Sequence, residues 1–342
     1  MMKFWRYIPV LAIAVAACLV TSCKDDETEE KDFLEGGLSL KMPKYVEKGY
    51  SKQFKIDTLA TVKCPDGSGV GYYFNNTVTG KLDTVLLRDG SYAPGFPGGI
   101  YTYTAGEKIG SESLSLVAFS TSDYYTTSST AKYNVVDPAM DGTGSLTGFK
   151  RSDAEYSFTD NRDGKQYWAI DIDGTSWMSQ NLGWRGAGAP FYNSEVMANV
   201  LGQYYSWEAA QTACPEGWRL PTDEEVKALA TSLGATEDEN GGMVGIAGDM
   251  MADLYFNGTA MWPYWPSINI TNSASLYMIP TGYAVMDGSM YLFSEMESYS
   301  LFWTASQQDG RGVYRYIYED QNNLMYGLGS KTGFAAPVRC IK

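Results

Sequence analysis

The chain changes its hydrophobic rhythm near residue 138. Between Gly37 and Asp137 apolar residues recur at every second position in short runs: Leu38 and Leu40, Tyr101 and Tyr103, Leu114 and Leu116, Tyr133 and Val135. Period-two alternation puts such pairs on one face of a strand. Turn signals at Asp66-Gly67, Asp89-Gly90 and Pro97-Gly98-Gly99 separate the runs, which is the spacing of a small β-sandwich over residues 37–137. Residues 138–150 are rich in glycine and read as a linker. Beyond it, Asp163-Gly164 and Asp173-Gly174, set among alternating apolar residues, predict consecutive hairpins. Gly202 to Ala210 reads as a helix with Ser206 available as its cap. Thr222 and Glu225 have the spacing of a capping box, and Val226, Leu229 and Leu233 then fall on one face of a second helix. The acidic, Gly-rich and Met-rich stretch from Thr236 to Tyr255 reads as an insertion.

The first 36 residues follow a different logic. Lys3 and Arg6 precede an apolar run from Ile8 to Val20, shorter than the ~20 residues a spanning helix needs, and Val20-Thr21-Ser22-Cys23 then reads as a lipobox. Residues 1–22 are accordingly expected to be a lipoprotein signal peptide, with Cys23 acylated and holding the protein to a membrane through its lipid. Residues 23–36 form an acidic tether too poor in apolar groups to order itself. Its Lys24-Asp25-Asp26-Glu27 start resembles the signal that directs Bacteroidetes lipoproteins to the outer face of the outer membrane. The expected location is therefore the outer membrane, lipid-anchored and facing the exterior.

Composition narrows the chemistry. The formal charge of −14 becomes −16 once Lys3 and Arg6 leave with the signal, and so acidic a body argues against a nucleic-acid partner. There is no histidine, which excludes Ser-His-Asp and Cys-His machinery and imidazole zinc sites. With Cys18 removed and Cys23 acylated, Cys64, Cys214 and Cys340 remain. In an oxidising compartment Cys214 with Cys340 is the natural pair, leaving Cys64 over, against the alternative of buried free thiols. Asp160, Asp163, Asp171 and Asp173 do not fit a calcium loop, because Arg162 takes a ligand position of the first candidate and the glycine comes too soon in the second. They read as turn residues, so neither metal nor cofactor is expected.

Cys214-Pro-Glu-Gly-Trp-Arg-Leu-Pro-Thr222 and Val338-Arg339-Cys340-Ile341-Lys342 carry a family resemblance. So do the Phe158 to Leu182 hairpins, Ile279-Pro-Thr-Gly-Tyr283 and Phe302-Trp-Thr-Ala-Ser306, in the same order. Residues 151–342 resemble the Fibrobacter succinogenes major paralogous domain, which implies an α+β, C-type-lectin-like fold of unassigned activity. Tyr101 to Asp137 is similar to the last strands of bacterial immunoglobulin-like domains. The expected architecture is thus multi-domain, an all-β immunoglobulin-like sandwich followed by the C-type-lectin-like domain. The Trp218 to Thr222 segment is also similar to part of the formylglycine-generating enzyme fold. That enzyme needs a reactive cysteine pair, whereas these cysteines read as structural, so no catalytic residue is assigned.

The best ligand candidate is the run Met261-Trp-Pro-Tyr-Trp-Pro266, where prolines hold Trp262, Tyr264 and Trp265 on a loop. Such rings suit a saccharide or a partner's apolar patch; the alternative is that they plug the core. The expected function is a surface-exposed lipoprotein with a non-catalytic tip for an extracellular glycan or protein. The competing class is a structural envelope component without a small-ligand site.

Overall fold

In the computed structural model, which describes residues 31–263 and 268–342, the alternating runs of the first unit form two sheets. The larger joins Tyr45–Glu47, Thr127–Val136, Gly110–Phe119, Gly71–Asn76 and Lys81–Leu86 in that order, antiparallel except for its first pair. The smaller pairs Ser51–Lys55 with Ile100–Thr104. Both contribute to one core, in which Phe74 stacks on Tyr101 at 4.1 Å beside fully buried Leu114, Leu116 and Val135. Each such side chain contributes about 1.5–3 kcal/mol by leaving water. The hydroxyls of Tyr103 and Tyr133 donate to Glu112 at 3.1 and 3.2 Å, so burial of these rings strands no polar group. Cys64 is a buried free thiol that accepts from the Ser120 hydroxyl at 3.3 Å.

The second unit opens with the hairpins that the Asp-Gly turns predict, Glu155–Asp160 with Lys165–Ile172 and the latter with Thr175–Met178. One five-stranded sheet then joins Ala189–Pro190, Gln203–Ser206, Phe334–Ala336, Tyr283–Asp287 and Met290–Ser294. Another joins Thr236–Glu237, Met243–Val244, Asn323–Gly329, Arg311–Tyr318 and Tyr299–Gln308. The helix Asp223–Ser232 starts on a complete capping box: Glu225 N–H donates to the Thr222 hydroxyl at 3.3 Å, and Thr222 N–H to the Glu225 carboxylate at 2.8 Å. Its apolar face shares a core with Phe302, Ile317 and Leu324 of the second sheet.

Local competition moved several boundaries. The segment from Gly202 begins as a strand, because the buried Tyr204 and Tyr205 favour the pleated sheet; only Trp207–Ala210 is helical, with Ser206 Oγ accepting from Ala209 N–H at 3.2 Å. Thr236 to Tyr255, read as an insertion, is built into the fold. Its strands extend the second sheet, while Met243, Ile246, Met250 and Met251 enter the main core, where flexible thioethers fill irregular gaps. Residues 138–150 do not run free either. Leu146–Thr147 pairs with Tyr255–Phe256, and Leu146 is buried. The two units also touch directly: Tyr45 packs on Phe191 and Phe256 at 5.8 and 5.9 Å, and its N–H donates to Ser194 Oγ at 3.1 Å.

Cys214 and Cys340 are bridged, their Cα atoms 5.9 Å apart and 126 positions apart in sequence. Next to the bridge, Arg219 and Ile341 exchange two backbone hydrogen bonds at 2.9 and 2.8 Å, and Met178 N–H donates to the Cys340 carbonyl at 3.0 Å. The Trp-Arg-Leu-Pro turn and the Thr175–Met178 strand are thus stitched to the same terminal segment.

Candidate functional site

Trp262 lies inside the molecule. It is 5% exposed, belongs to the core under the Asp223–Ser232 helix, and its indole N–H donates to the Met278 carbonyl at 3.2 Å. The expectation that it offers a ring face to a ligand is therefore corrected: a large apolar surface with one matched polar atom gains more by burial. Tyr264 and Trp265 lie outside the described residues, as do residues 1–30 with Cys23.

A larger aromatic assembly occurs elsewhere, at the junction of the two five-stranded sheets. In Arg311–Tyr318 the alternation sends Val313, Arg315 and Ile317 to the buried side, while Tyr314, Tyr316 and Tyr318 stay half-exposed on the other. Tyr299 stands directly opposite Tyr318 in the neighbouring strand. Phe334 and Tyr283 reach the same place from the other sheet. Five rings close a circuit: Tyr283 to Phe334 at 5.0 Å, Phe334 to Tyr314 at 5.1 Å, Tyr314 to Tyr316 at 5.8 Å, Tyr316 to Tyr299 at 5.5 Å and Tyr299 to Tyr283 at 6.4 Å. The first two contacts are offset-stacked, the arrangement aromatic quadrupoles favour.

Glycines let these rings lie down. A Cβ at Gly327 would meet the Tyr314 ring at 2.3 Å, and one at Gly312 would meet the Trp207 ring at 2.2 Å. The apolar surface continues along the first sheet, since Phe334 is paired with Val285 and Val285 with Leu292, so these side chains share a face. Val285, Met290 and Leu292 are exposed at 44%, 59% and 51%. Among the described residues, no protein group hydrogen-bonds the hydroxyls of Tyr283, Tyr299, Tyr314, Tyr316 or Tyr318. Burial first, then the neighbouring phenols of Tyr316, Tyr283 and Tyr299, push Tyr314 up to about 12. Tyr316 is raised by burial, and Tyr299 by burial and then by Tyr316, Tyr318 and Glu295. These phenols stay neutral at physiological pH and keep O–H groups to donate.

Tyrosines at alternate strand positions look like core, so this face is hard to see in the sequence. The available signal was the string Val313-Tyr-Arg-Tyr-Ile-Tyr318, in which both parities carry large side chains, so one set had to face outward.

Two hollows elsewhere in the second unit are built around charged side chains that the protein itself engages. A cleft of about 420 Å³ lies at the start of the Asp223–Ser232 helix, with fully buried Arg315 at its base. The Arg315 Nε and Nη2 donate to the Asp223 carboxylate at 2.6 and 2.8 Å and Nη1 to the Gly241 carbonyl, so its charge is neutralised inside the protein. A hollow of about 280 Å³ holds Lys165, whose ammonium donates to the Ala198 carbonyl and which burial pulls down to about 8. The four aspartates of the opening hairpins serve turns and ion pairs. Asp160 takes a two-pronged bond from Arg162, Asp163 accepts from Lys165 N–H at 3.1 Å, Asp171 accepts from Ser176, and Asp173 takes a positive φ of 48°. Among the described residues there is no group of three or more metal-ligating side chains.

Fold and site together define a disulfide-closed, β-rich domain with an aromatic face, joined to a second β-rich unit. The model of the Fibrobacter succinogenes major domain matches residues 170–342, half of the chain, and the protein belongs to that family. The bridge, the Trp-Arg-Leu-Pro turn and all five rings of the circuit fall within the matched range. No curated protein matches the chain. Among solved structures, a quinonprotein alcohol dehydrogenase-like protein from Bacteroides thetaiotaomicron is similar at 9% identity, covering 84% of this chain. This chain spans 60% of that structure's length, and the TM-score of 0.15 carries no inference about fold or activity.

Proposed function

We propose that the protein is a lipid-anchored surface protein whose second domain is a non-catalytic binding module for an extracellular glycan, presented on the first unit as a spacer. In this reading the spacer is immunoglobulin-like, the binding domain C-type-lectin-like, and Cys23 the anchor. The observation that carries it is the circuit of Tyr283, Phe334, Tyr314, Tyr316 and Tyr299, five half-exposed rings, of which the four tyrosines have hydroxyls without a protein partner among the described residues. Sugars are amphipathic, with C–H faces and hydroxyl edges, and a surface that mixes ring faces with free phenol O–H groups answers both. The non-catalytic part of the reading is supported by Cys214 and Cys340 being joined to each other, with Cys64 buried in the first unit, rather than forming a reactive thiol pair.

A glycan array probed with the chain after Cys23 tests the proposal. Each ring contributes on the order of 1 kcal/mol beyond area burial, so the double variant Tyr314→Ala, Tyr316→Ala should bind any positive glycan about tenfold or more weakly. An array without a positive, or a variant that binds as well as the parent, overturns the reading. A second reading, a structural envelope component, is favoured by the exposed apolar side chains of Val285, Met290 and Leu292. It predicts instead that Leu292→Lys releases the protein from an envelope complex while the array stays blank.

A further inference from the structure

The aromatic circuit and its surroundings say more about the ligand, provided that the glycan-binding reading holds. The apolar surface is a band, not a socket. It runs from Leu292 through Val285 to Phe334 on one sheet, then over the tyrosines on the other, and Trp207 lies beside Tyr314 over Gly312. Neighbouring strands are about 4.8 Å apart, so the stretch from Leu292 through Val285 to Phe334 alone crosses three strands before the band reaches the tyrosines. A terminal monosaccharide would cover a small part of such a band.

The charges bordering it are mostly of one sign. At the Tyr299 and Tyr318 end stand Glu295, whose carbonyl accepts from Tyr299 N–H at 3.1 Å, and Glu319, whose N–H donates to the Ser298 carbonyl at 3.0 Å. Asp320 follows Tyr318 closely in sequence, and Asp287 is paired with Met290 beside Leu292. Asp320, Glu319 and Glu295 all act on the Tyr318 phenol in the sense that raises it, after desolvation. At the far end Lys331 lies over the Trp207 ring at 4.5 Å, with its ammonium engaged by Gln307. Carboxylates in this position, on a chain of net charge −14, repel an approaching polyanion.

We propose that the ligand is an uncharged polysaccharide held along its length, and that the carboxylate rim excludes acidic glycans. The test uses the full chain in detergent and measures retardation in native gels loaded with neutral polymers (mannan, xylan, xyloglucan, mixed-linkage glucan) or acidic ones (alginate, polygalacturonate, heparin). Competition by oligomers of the bound polymer follows. The expected result is retention by a neutral polymer, competition at least tenfold stronger for a hexamer than for a dimer, and no retention by the acidic set. The triple variant Glu295→Lys, Glu319→Lys, Asp320→Lys, at two exposed positions and one half-buried one, should gain retention by an acidic polymer. Acidic polymers retaining the parent chain as strongly, or a dimer competing as well as a hexamer, overturns this inference and leaves glycan binding intact. Silence from every polymer overturns the glycan reading itself, and this inference with it.

Discussion

Trp262 and Tyr314 are both large aromatic residues near glycine or proline, and they do opposite things. Trp262 has one polar atom and a buried carbonyl to receive it, so it fills the core. Tyr314 lies across Gly327 with its hydroxyl left free, so it forms surface. Trp262→Ala should therefore cost about 3–5 kcal/mol of stability, read as a lowered urea midpoint, with no selective loss of ligand binding. A variant with unchanged midpoint would remove Trp262 from the core. Arg339, fully buried, shows the same economy: it donates to Asn181 Oδ1 and the Tyr277 carbonyl, both at 3.0 Å, and to the Leu276 carbonyl. Burial pulls it down to about 9, which leaves it protonated at neutral pH and able to clasp two loops to the terminal segment.

The Asp223–Ser232 helix is the element most directly legible in the chain, because its capping box and apolar face are local in sequence. Its start also carries a pH dependence. The Arg219 ion pair, then the Thr222 bonds, hold the Glu225 carboxyl at about 2 against its usual 4.5, with burial opposing. A carboxyl depressed on folding contributes stability that is fully present above about pH 4.5 and is lost as pH falls from there through 2. Glu225→Gln should thus be less stable than the parent at pH 7 by at most about 1 kcal/mol, since the pair is solvent-screened, and the difference should close between pH 4.5 and 2. Thermal midpoints of both proteins across that range check it; a gap that widens on acidification contradicts the assignment. The Gly202 to Ala210 element was harder to read, because its first half owes its strand to pairing with Phe334–Ala336, more than a hundred residues away.

At the scale of the molecule, the Cys214–Cys340 bridge closes a long loop and ties the Trp218 turn to the terminal segment. On the chain-entropy model it contributes about 4–5 kcal/mol, so reduction should lower the calorimetric midpoint of the second unit by about 10 °C. An unchanged midpoint after verified reduction would show that the bridge constrains little. The anchor proposed at Cys23 has its own check: protease added to intact cells should shave off the chain, and protection until lysis would refute surface display.

Rhythm and spacing were enough to indicate the β-rich runs, the Asp-Gly hairpins, the capped helix and the family, because each is written in neighbouring residues or in ordered motifs, while the cysteine pairing followed from the few cysteines left to pair. Which rings face water was decided only by tertiary structure. An alternating strand has two faces, and its own sequence does not say which of them the next sheet will cover. The core closes over Trp262, Val313 and Ile317, while Tyr283, Tyr299, Tyr314, Tyr316 and Phe334 meet only because two sheets, assembled from distant strands, bring their uncovered faces edge to edge.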